Sequence, residues 1–191
     1  ITVSPTHRFM PFSKLLLRET PCPPWCMTLE SLQLLVACKS GLESIAAREL
    51  RDLGYDAKPT TPGRVLFEGD INAIARANMW LRTADRVLVR VASFKATDFG
   101  ELFDRTNVQA WERWLPRDAA FPVKGRSVRS QLASAPACQA IVKKAIVERL
   151  LTAHRTKVLP ETGVEFVIEV AIDHDEVSLC IDTTGVSLHK R

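Results

Sequence analysis

The sequence predicts a mixed α/β protein, α+β in class, made of two consecutive units, and three observations lead to this prediction. Short apolar runs of strand length alternate with segments whose apolar residues recur every three or four positions. Glycine, proline and aspartate, which favour turns, separate these segments. The 191 residues are 46% hydrophobic and 25% charged, as is typical of globular proteins with one or two domains.

The first unit, predicted over residues 31–96, opens with a strand and a helix. The apolar run "LQLLV" begins at Leu32. The S-x-x-E spacing of Ser40 and Glu43 predicts a capping box at the start of the helix, and Gly54 predicts its end. The residues expected on the buried face of this helix are Leu42, Ile45, Ala46, Leu50 and Leu53.

A second helix and three further strands complete this unit. A weak strand is predicted near Tyr55–Lys58, a stronger one at Val65–Phe67 and a long alternating one at Arg86–Phe94. Asp70 is predicted to cap the helix between the last two strands. The residues expected on the buried face of that helix are Ile71, Ile74, Ala75 and Met79. The order β-α-β-β-α-β is that of the split βαβ, or ferredoxin-like, arrangement.

The second unit, predicted over residues 97–186, has a different order of elements. A helical pattern follows Asp98, and "AAFPVK" predicts a short strand. Pro136 is a favourable first-turn residue for a helix that runs to about Leu151. The buried arc of this helix is predicted to hold Cys138, Ile141, Val142, Ala145 and Ile146. Two alternating strands joined by a turn at "DHDE" then form a hairpin.

The ends of the chain are predicted to lie outside the two units. Residues 1–30 contain five prolines that prevent regular structure over much of the stretch, so we expect a disordered or extraneous segment. Residues 187–191 have the character of the start of a linker to a missing domain. No apolar run reaches the roughly 18 residues that a membrane span needs.

The sequence contains no recognisable catalytic motif. It lacks G-x-G-x-x-G, the P-loop and H-E-x-x-H, and its four histidines are isolated from one another. The five cysteines are scattered and no second Cys or His pair has zinc-ligand spacing, so we predict no metal site and a reducing, cytoplasmic compartment. We therefore expect no cofactor and no autonomous catalysis in these residues.

The strongest functional signal is the cationic segment from Phe121 to Val158, which holds eight basic residues and one acidic residue. Lys124, Arg126, Arg129 and Ser130 are predicted to lie in a loop after the strand. Arginine forks and backbone N–H groups there could bind phosphate together with the following helix N-terminus. For the lysines of the helix that follows this loop, the alternative to phosphate binding is a charged helix face that only contacts solvent. The hypothesis is that the cations form a single surface that binds polyanions.

Two stretches of this segment resemble the THUMP domain, an RNA-binding module of RNA methyltransferases and thiouridine synthases. They are "VKGRSVRS" and "CQAIVKKAIVERL". "LLVACKSGLESIAARELRDLGY" resembles the ferredoxin-like domain that precedes THUMP in bacterial ribosomal RNA guanine-N2 methyltransferases. The resemblance covers residues 31–191 and implies binding of structured RNA, most simply ribosomal RNA. The residues to which RNA contact transfers are Lys124, Arg126, Arg129, Ser130, Lys143 and Lys144.

The resemblance does not extend to catalysis. The methyltransferase domain of that family binds S-adenosylmethionine through a D-x-F-x-G-x-G-like loop, and neither this loop nor the N/D-P-P-[YF/L]-like motif occurs in the sequence. S-adenosylmethionine is therefore implied only for a missing C-terminal methyltransferase domain. Two alternatives stay open: the THUMP module of a tRNA-modifying enzyme (thiouridine synthase or tRNA methyltransferase), and a ligand-sensing or oligomerising module of ferredoxin-like fold.

Overall fold

The computed structural model describes residues 31–188, which form four α-helices, one short 3₁₀-helix and seven strands. The first half contains β1 (Leu32–Cys38), α1 (Glu43–Asp52), β2 (Ala57–Pro59), β3 (Arg64–Gly69), α2 (Ile71–Trp80) and β4 (Ala84–Lys95). The second half contains α3 (Phe99–Asn107), the 3₁₀-helix (Trp111–Arg113), β5 (Val123–Val128), α4 (Ala135–Ala153), β6 (Ile168–Asp173) and β7 (Glu176–Asp182). The predicted β-α-β-β-α-β order of the first unit is confirmed.

All seven strands of the described region belong to one sheet with the order β2-β3-β1-β4-β7-β6-β5. The first four strands pair only antiparallel, as a ferredoxin-like sheet does. In the second half β6 and β7 form the predicted hairpin, and β5 pairs parallel to β6. His174 and Asp175 both have positive φ, which fits a two-residue turn between β6 and β7.

The two halves share this sheet because β4 pairs with β1 on one side and with β7 on the other. The β4–β7 register runs from Leu88 opposite Asp182 to Lys95 opposite Glu176, with an irregularity between Arg90 and Ala92. The sequence predicts two consecutive units but does not predict that they share a sheet. Pairing between residues almost a hundred positions apart has no local signal.

The core lies between the helices and one face of the sheet. Leu34, Val36 and Phe67 are buried in the cluster of the first half, and Trp111 and Phe121 in that of the second half. Trp114 packs against both clusters. The core is therefore continuous beneath the strands that join the halves.

The capping box predicted at α1 is wrong. The residue that precedes α1 is Leu42, which has no capping side chain. The Glu43 carboxylate instead accepts hydrogen bonds from Gly63 N (2.6 Å) and Gly41 N (2.8 Å), and these bonds lower its pKa. Gly54 does end the helix, with φ of 94°. Glu43 therefore ties the start of α1 to the loop before β3.

The buried face predicted for α2 is wrong at Ile71, Ala75 and Met79, although Ile74 packs against the core and the cap is confirmed. Asp70 accepts a hydrogen bond from Ala73 N at 2.8 Å. The buried residues of α2 are Ala73 and Ala77, whereas Ile71 is 64% exposed and Met79 is 76% exposed. A Cβ atom on Gly69 would lie 2.4 Å from Cβ of Ala73. The start of α2 approaches the end of β3 so closely that there is room only for small residues at Gly69 and Ala73.

The long helix α4 follows its prediction. Ser134 is the N-cap residue and Pro136 lies in the first turn. Four members of the predicted arc are buried: Cys138, Val142, Ala145 and Ile146. The prediction succeeds because these residues, together with the buried Leu150, recur three or four positions apart along one side of the helix.

Some expectations concern the ends of the chain and special sites. The segment predicted to be disordered or extraneous, residues 1–30, and the last three linker residues lie outside the described region. Within residues 31–188 no helix combines the length and apolar character of a membrane span. In the same range no cluster of His, Cys, Asp and Glu has the arrangement of a metal site.

Candidate nucleic-acid interface

The structure places two of the predicted RNA-binding residues in a strand. Lys124 and Arg126 belong to β5, where they pair in register with Glu169 and Ala171 of β6. The prediction that both lie in a loop is therefore wrong. Of the predicted strand "AAFPVK", Val123 and Lys124 begin β5, and Ala120 forms only an isolated bridge with Glu165. The parallel partner β6, which lies about 45 positions along the chain, decides where the strand runs.

Lys124 and Arg126 project from the face of the sheet that the helices do not cover. A Cβ atom on Gly125 would lie 2.9 Å from Cγ of Gln139 on α4, so the residues on either side of Gly125 point away from α4. Both are exposed, as is Arg129 just beyond the strand. Within the described region these three side chains make no hydrogen bond and no ion pair. We call Lys124, Arg126 and Arg129 the β5 strip.

Ser130 has a structural role in the loop after β5. Its hydroxyl donates a hydrogen bond to Oδ1 of Asp175 at 2.6 Å and accepts one from Leu132 N at 3.1 Å. Gln131 N donates to the same carboxylate oxygen at 2.8 Å. These hydrogen bonds hold the loop after β5 against the turn between β6 and β7. The hydrogen bonds from Ser130 and then Gln131 lower the pKa of Asp175.

Replacing Asp175 by Asn is expected to destabilise the fold at neutral pH and to have little effect in acid. Because the pKa of Asp175 is lowered on folding, its contribution is present above the ordinary value of about 3.9 and is lost as the pH falls through the lower folded value. Urea unfolding at pH 7 and near pH 2.5 measures this difference. Asp104→Asn, at an exposed position on α3, is the matched control. If Asp175→Asn changed the free energy of unfolding equally at both pH values, the stabilising role of the ionised Asp175 carboxylate would be contradicted.

Lys143 is held within the protein. Its Nζ donates to the carboxylate of Glu161 at 2.8 Å and to Phe121 O at 3.2 Å, and it lies 3.6 Å from the centroid of the Phe121 ring. Lys144 is more exposed and lies 3.8 Å from the carboxylate of Glu148 one turn along the helix. Both belong to α4, in the helical layer.

The six predicted residues therefore do not form one surface. Lys124 and Arg126 project from the open face, whereas Lys143 and Lys144 belong to α4 on the covered face. The expectation of a single cationic surface is wrong, because the sequence segment passes from one layer of the fold to the other. Contact of each residue with RNA stays a prediction.

The open face also holds a cavity of about 360 Å³, which we call the open-face groove. Its charged lining consists of Arg64, Arg90 and Arg126 with Glu169, Asp173 and Glu176. Leu35 and Cys180, both almost fully buried, lie at its base. These residues come from β1, β3, β4, β5, β6 and β7, and no local pattern joins them in the sequence.

Two arginines of the groove are held by neighbours. Arg64 forms an ion pair with Glu169, and its side chain is 11% exposed. The other guanidinium nitrogen of Arg64, Nη1, is buried without a hydrogen-bond partner in the described region. Arg90 donates from Nε (3.0 Å) and Nη2 (2.7 Å) to the side-chain oxygen of Gln33. The groove therefore presents two cationic groups whose orientation is fixed by neighbouring side chains.

Two protein families match the chain. The family described as "RlmL ferredoxin-like domain" matches residues 33–88, and the family described as "THUMP domain" matches residues 96–182. The chain is 47% identical over 165 residues to "Putative RNA methyltransferase YpsC" of Bacillus subtilis (strain 168). It is 28% identical over 163 residues to "Ribosomal RNA large subunit methyltransferase K/L" of Syntrophotalea carbinolica.

Solved structures give the same assignment of the fold. A "predicted N6-adenine-specific DNA methylase" from Listeria monocytogenes is 56% identical with a TM-score of 0.81, over 84% of this chain and 42% of that one. A possible methylase from Clostridium difficile 630 is 42% identical with a TM-score of 0.82, over 84% and 43%. A putative methyltransferase complexed with SAH is 42% identical with a TM-score of 0.78, over the same shares.

The chain spans less than half the length of these relatives. The match covers 85% of this chain but 43% of the Bacillus subtilis protein, and 84% of this chain but 23% of the Syntrophotalea carbinolica protein. The two family matches, in contrast, account for almost all of residues 33–182. The chain therefore belongs to the THUMP-domain proteins and carries an RlmL ferredoxin-like domain ahead of its THUMP domain.

Proposed function

We propose that this chain is the RNA-binding, substrate-recognition region of an S-adenosylmethionine-dependent ribosomal RNA (guanine-N2) methyltransferase that acts in the cytoplasm. The observation that carries the proposal is the β5 strip within the THUMP match, three exposed cations without a partner in the described region. The names of the relatives support RNA as the substrate. The relative complexed with SAH supports S-adenosylmethionine as the methyl donor of the parent protein.

Recognition of structured RNA would depend on shape and phosphate positions. The major groove of A-form RNA is too deep and narrow for side chains to read, so proteins bind its backbone and minor groove. The β5 strip presents cations along an extended strand and could follow a line of phosphates. We assign methyl transfer itself to a C-terminal domain of the parent protein, since the match covers only 43% of the Bacillus subtilis relative, whose name is that of a methyltransferase.

The triple variant Lys124→Ala/Arg126→Ala/Arg129→Ala tests this proposal. Each lost phosphate contact lowers the slope of log affinity against log salt by about 0.7–0.9, so we expect the slope for a hairpin RNA to fall by about 2–3. The matched control is Lys39→Ala/Arg48→Ala/Arg82→Ala, which removes three exposed charges elsewhere in the first half. An unchanged affinity and slope in the β5 variant, or an equal loss in the control, would overturn the assignment.

The name of the Listeria monocytogenes relative, a DNA methylase, favours a second candidate, DNA as the substrate. Competition between a hairpin RNA and a DNA hairpin of matched sequence separates the two candidates. We expect RNA to compete better, because a surface that reads A-form shape loses contacts on B-form DNA. A preference for DNA would replace RNA by DNA in the proposal. Absence of both interactions at low salt, with thermal stabilisation by a small molecule, would favour the ligand-sensing alternative.

A further inference from the structure

We infer that the open-face groove binds one unpaired nucleotide of RNA whose base carries an exocyclic amino group. This inference rests on the proposed function, since it assumes an RNA substrate. It assigns a site separate from the phosphate contacts of the β5 strip, with which it shares only Arg126.

The size and base of the groove suit a single base. Its volume of about 360 Å³ lies at the lower end of the roughly 300–1,000 Å³ of small-molecule sites. Leu35 is 6% exposed and Cys180 is 3% exposed, and Leu88 completes their apolar cluster. A planar base could bury one face against these side chains. A duplex could not enter a cavity of this volume.

The cationic groups of the groove can bind the phosphate group and the base ring of one nucleotide. Arg126 has no partner in the described region and lies at the β5 side, where it can reach a phosphate. Arg64 is held by its ion pair with Glu169, which fixes a positive charge in the lining of the groove. Arg90 is held in place by Gln33, so its guanidinium plane is oriented before a ligand arrives. Bases of single-stranded RNA commonly stack on such planes.

The carboxylates explain why a base with an amino group is favoured. Asp173 is fixed by His174 Nδ1 at 2.8 Å, and Glu176 by Ser93 Oγ at 3.2 Å. Each keeps a second oxygen without a hydrogen bond in the described region. Carboxylate oxygens accept from the amino groups of bases and repel phosphate. The groove has equal numbers of arginines and carboxylates, so it suits a nucleotide with both kinds of group better than a line of phosphates.

Filling the groove without changing its charge is the direct test. Ala171 lies in register with Arg126 on one side and with Ser178 on the other, so Ala171→Leu would occupy the groove. The matched control is Ala75→Leu, at an exposed position on α2. The probes are five-nucleotide oligo(A), oligo(C) and oligo(U), with a blunt hairpin RNA that has no unpaired end. Thermal unfolding checks that each variant is folded.

We expect Ala171→Leu to weaken binding of oligo(A) and oligo(C) roughly tenfold and to leave the blunt hairpin unchanged. Oligo(U), which lacks an amino group, should bind the wild-type chain several-fold more weakly than oligo(C). Equal binding of oligo(C) by wild type and Ala171→Leu, or equal binding of oligo(U) and oligo(C), would overturn the inference while leaving the proposed function intact. Failure of the wild-type chain to bind any of these RNAs would overturn the proposed function itself.

Discussion

Replacing Trp111 by Ala is expected to lower the free energy of unfolding by about 3–5 kcal/mol, the range for deleting a large buried aromatic side chain. Trp111 is fully buried in the core of the second half. Its indole Nε1 also donates to the carbonyl oxygen of Thr106 at 2.8 Å, and the deletion removes this hydrogen bond while Gln109 N, at 3.3 Å, remains as a donor to that oxygen. The loss therefore combines a cavity with a lost hydrogen bond.

Denaturant unfolding measures this loss, and Trp80→Ala is the matched control. Trp80 is 62% exposed on α2, so its removal should change stability by less than about 0.5 kcal/mol. Because the sheet is continuous through β4 and β7, we expect one cooperative transition for both halves. Hydrogen exchange of the β1 amides should then accelerate in Trp111→Ala as much as that of the β6 amides. Wild-type protection of β1 in this variant would show that the halves unfold separately.

The elements that the sequence predicts well are those whose determinants are local. The Asp70 cap, the end of α1 at Gly54 and the long helix α4 each depend on residues within a few positions of one another. The same is true of the turn between β6 and β7. Short-range hydrogen bonding and backbone freedom decide these features, so pattern recognition is sufficient.

The elements that the sequence predicts wrongly depend on distant partners. The Glu43 side chain bonds to Gly63, twenty positions away, in preference to the predicted box with Ser40. The buried face of α2 is set by the close approach of Gly69 and Ala73 and not by the largest apolar residues. The extent of β5 follows from its pairing with β6. Tertiary contacts override the local preference in each case.

The candidate site shows the same difference between features with local determinants and features that depend on distant partners. A count of cations identifies a cationic segment of the chain but cannot tell Arg126, which has no partner in the described region, from Lys143, which Glu161 and the Phe121 carbonyl hold. Whether a cation is available depends on residues that the fold brings near it. The open-face groove is a stronger example, since six strands each contribute part of its lining.

Replacing Asp182 by Ala is expected to cost about 3 kcal/mol, near the lower end of the range for breaking a buried ion pair. The Asp182 side chain is 5% exposed and forms an ion pair with Arg86, which is 29% exposed. Its Oδ1 also accepts from Thr184 N at 2.8 Å. The pair joins β4 to the end of β7, next to the position where the two strands begin to pair. Loss of this ion pair therefore weakens the contact between β4 and β7, which joins the two halves.

A double-mutant cycle with Arg86→Ala separates the ion pair from the other roles of the two residues. Arg86 also donates to Gly185 O at 3.0 Å and Ser187 Oγ at 3.1 Å, so its own deletion should be destabilising. We expect the double variant to lose about 1–2 kcal/mol less than the sum of the single losses.

Asp56→Ala is the control, because the Asp56–Lys58 pair has a distance of 3.0 Å but more than 70% exposure on both sides. Water screens such a pair, so its removal should cost under about 1 kcal/mol. If the losses in the cycle were additive, the effect of Asp182→Ala would come from the other contacts of Asp182 and not from its ion pair with Arg86.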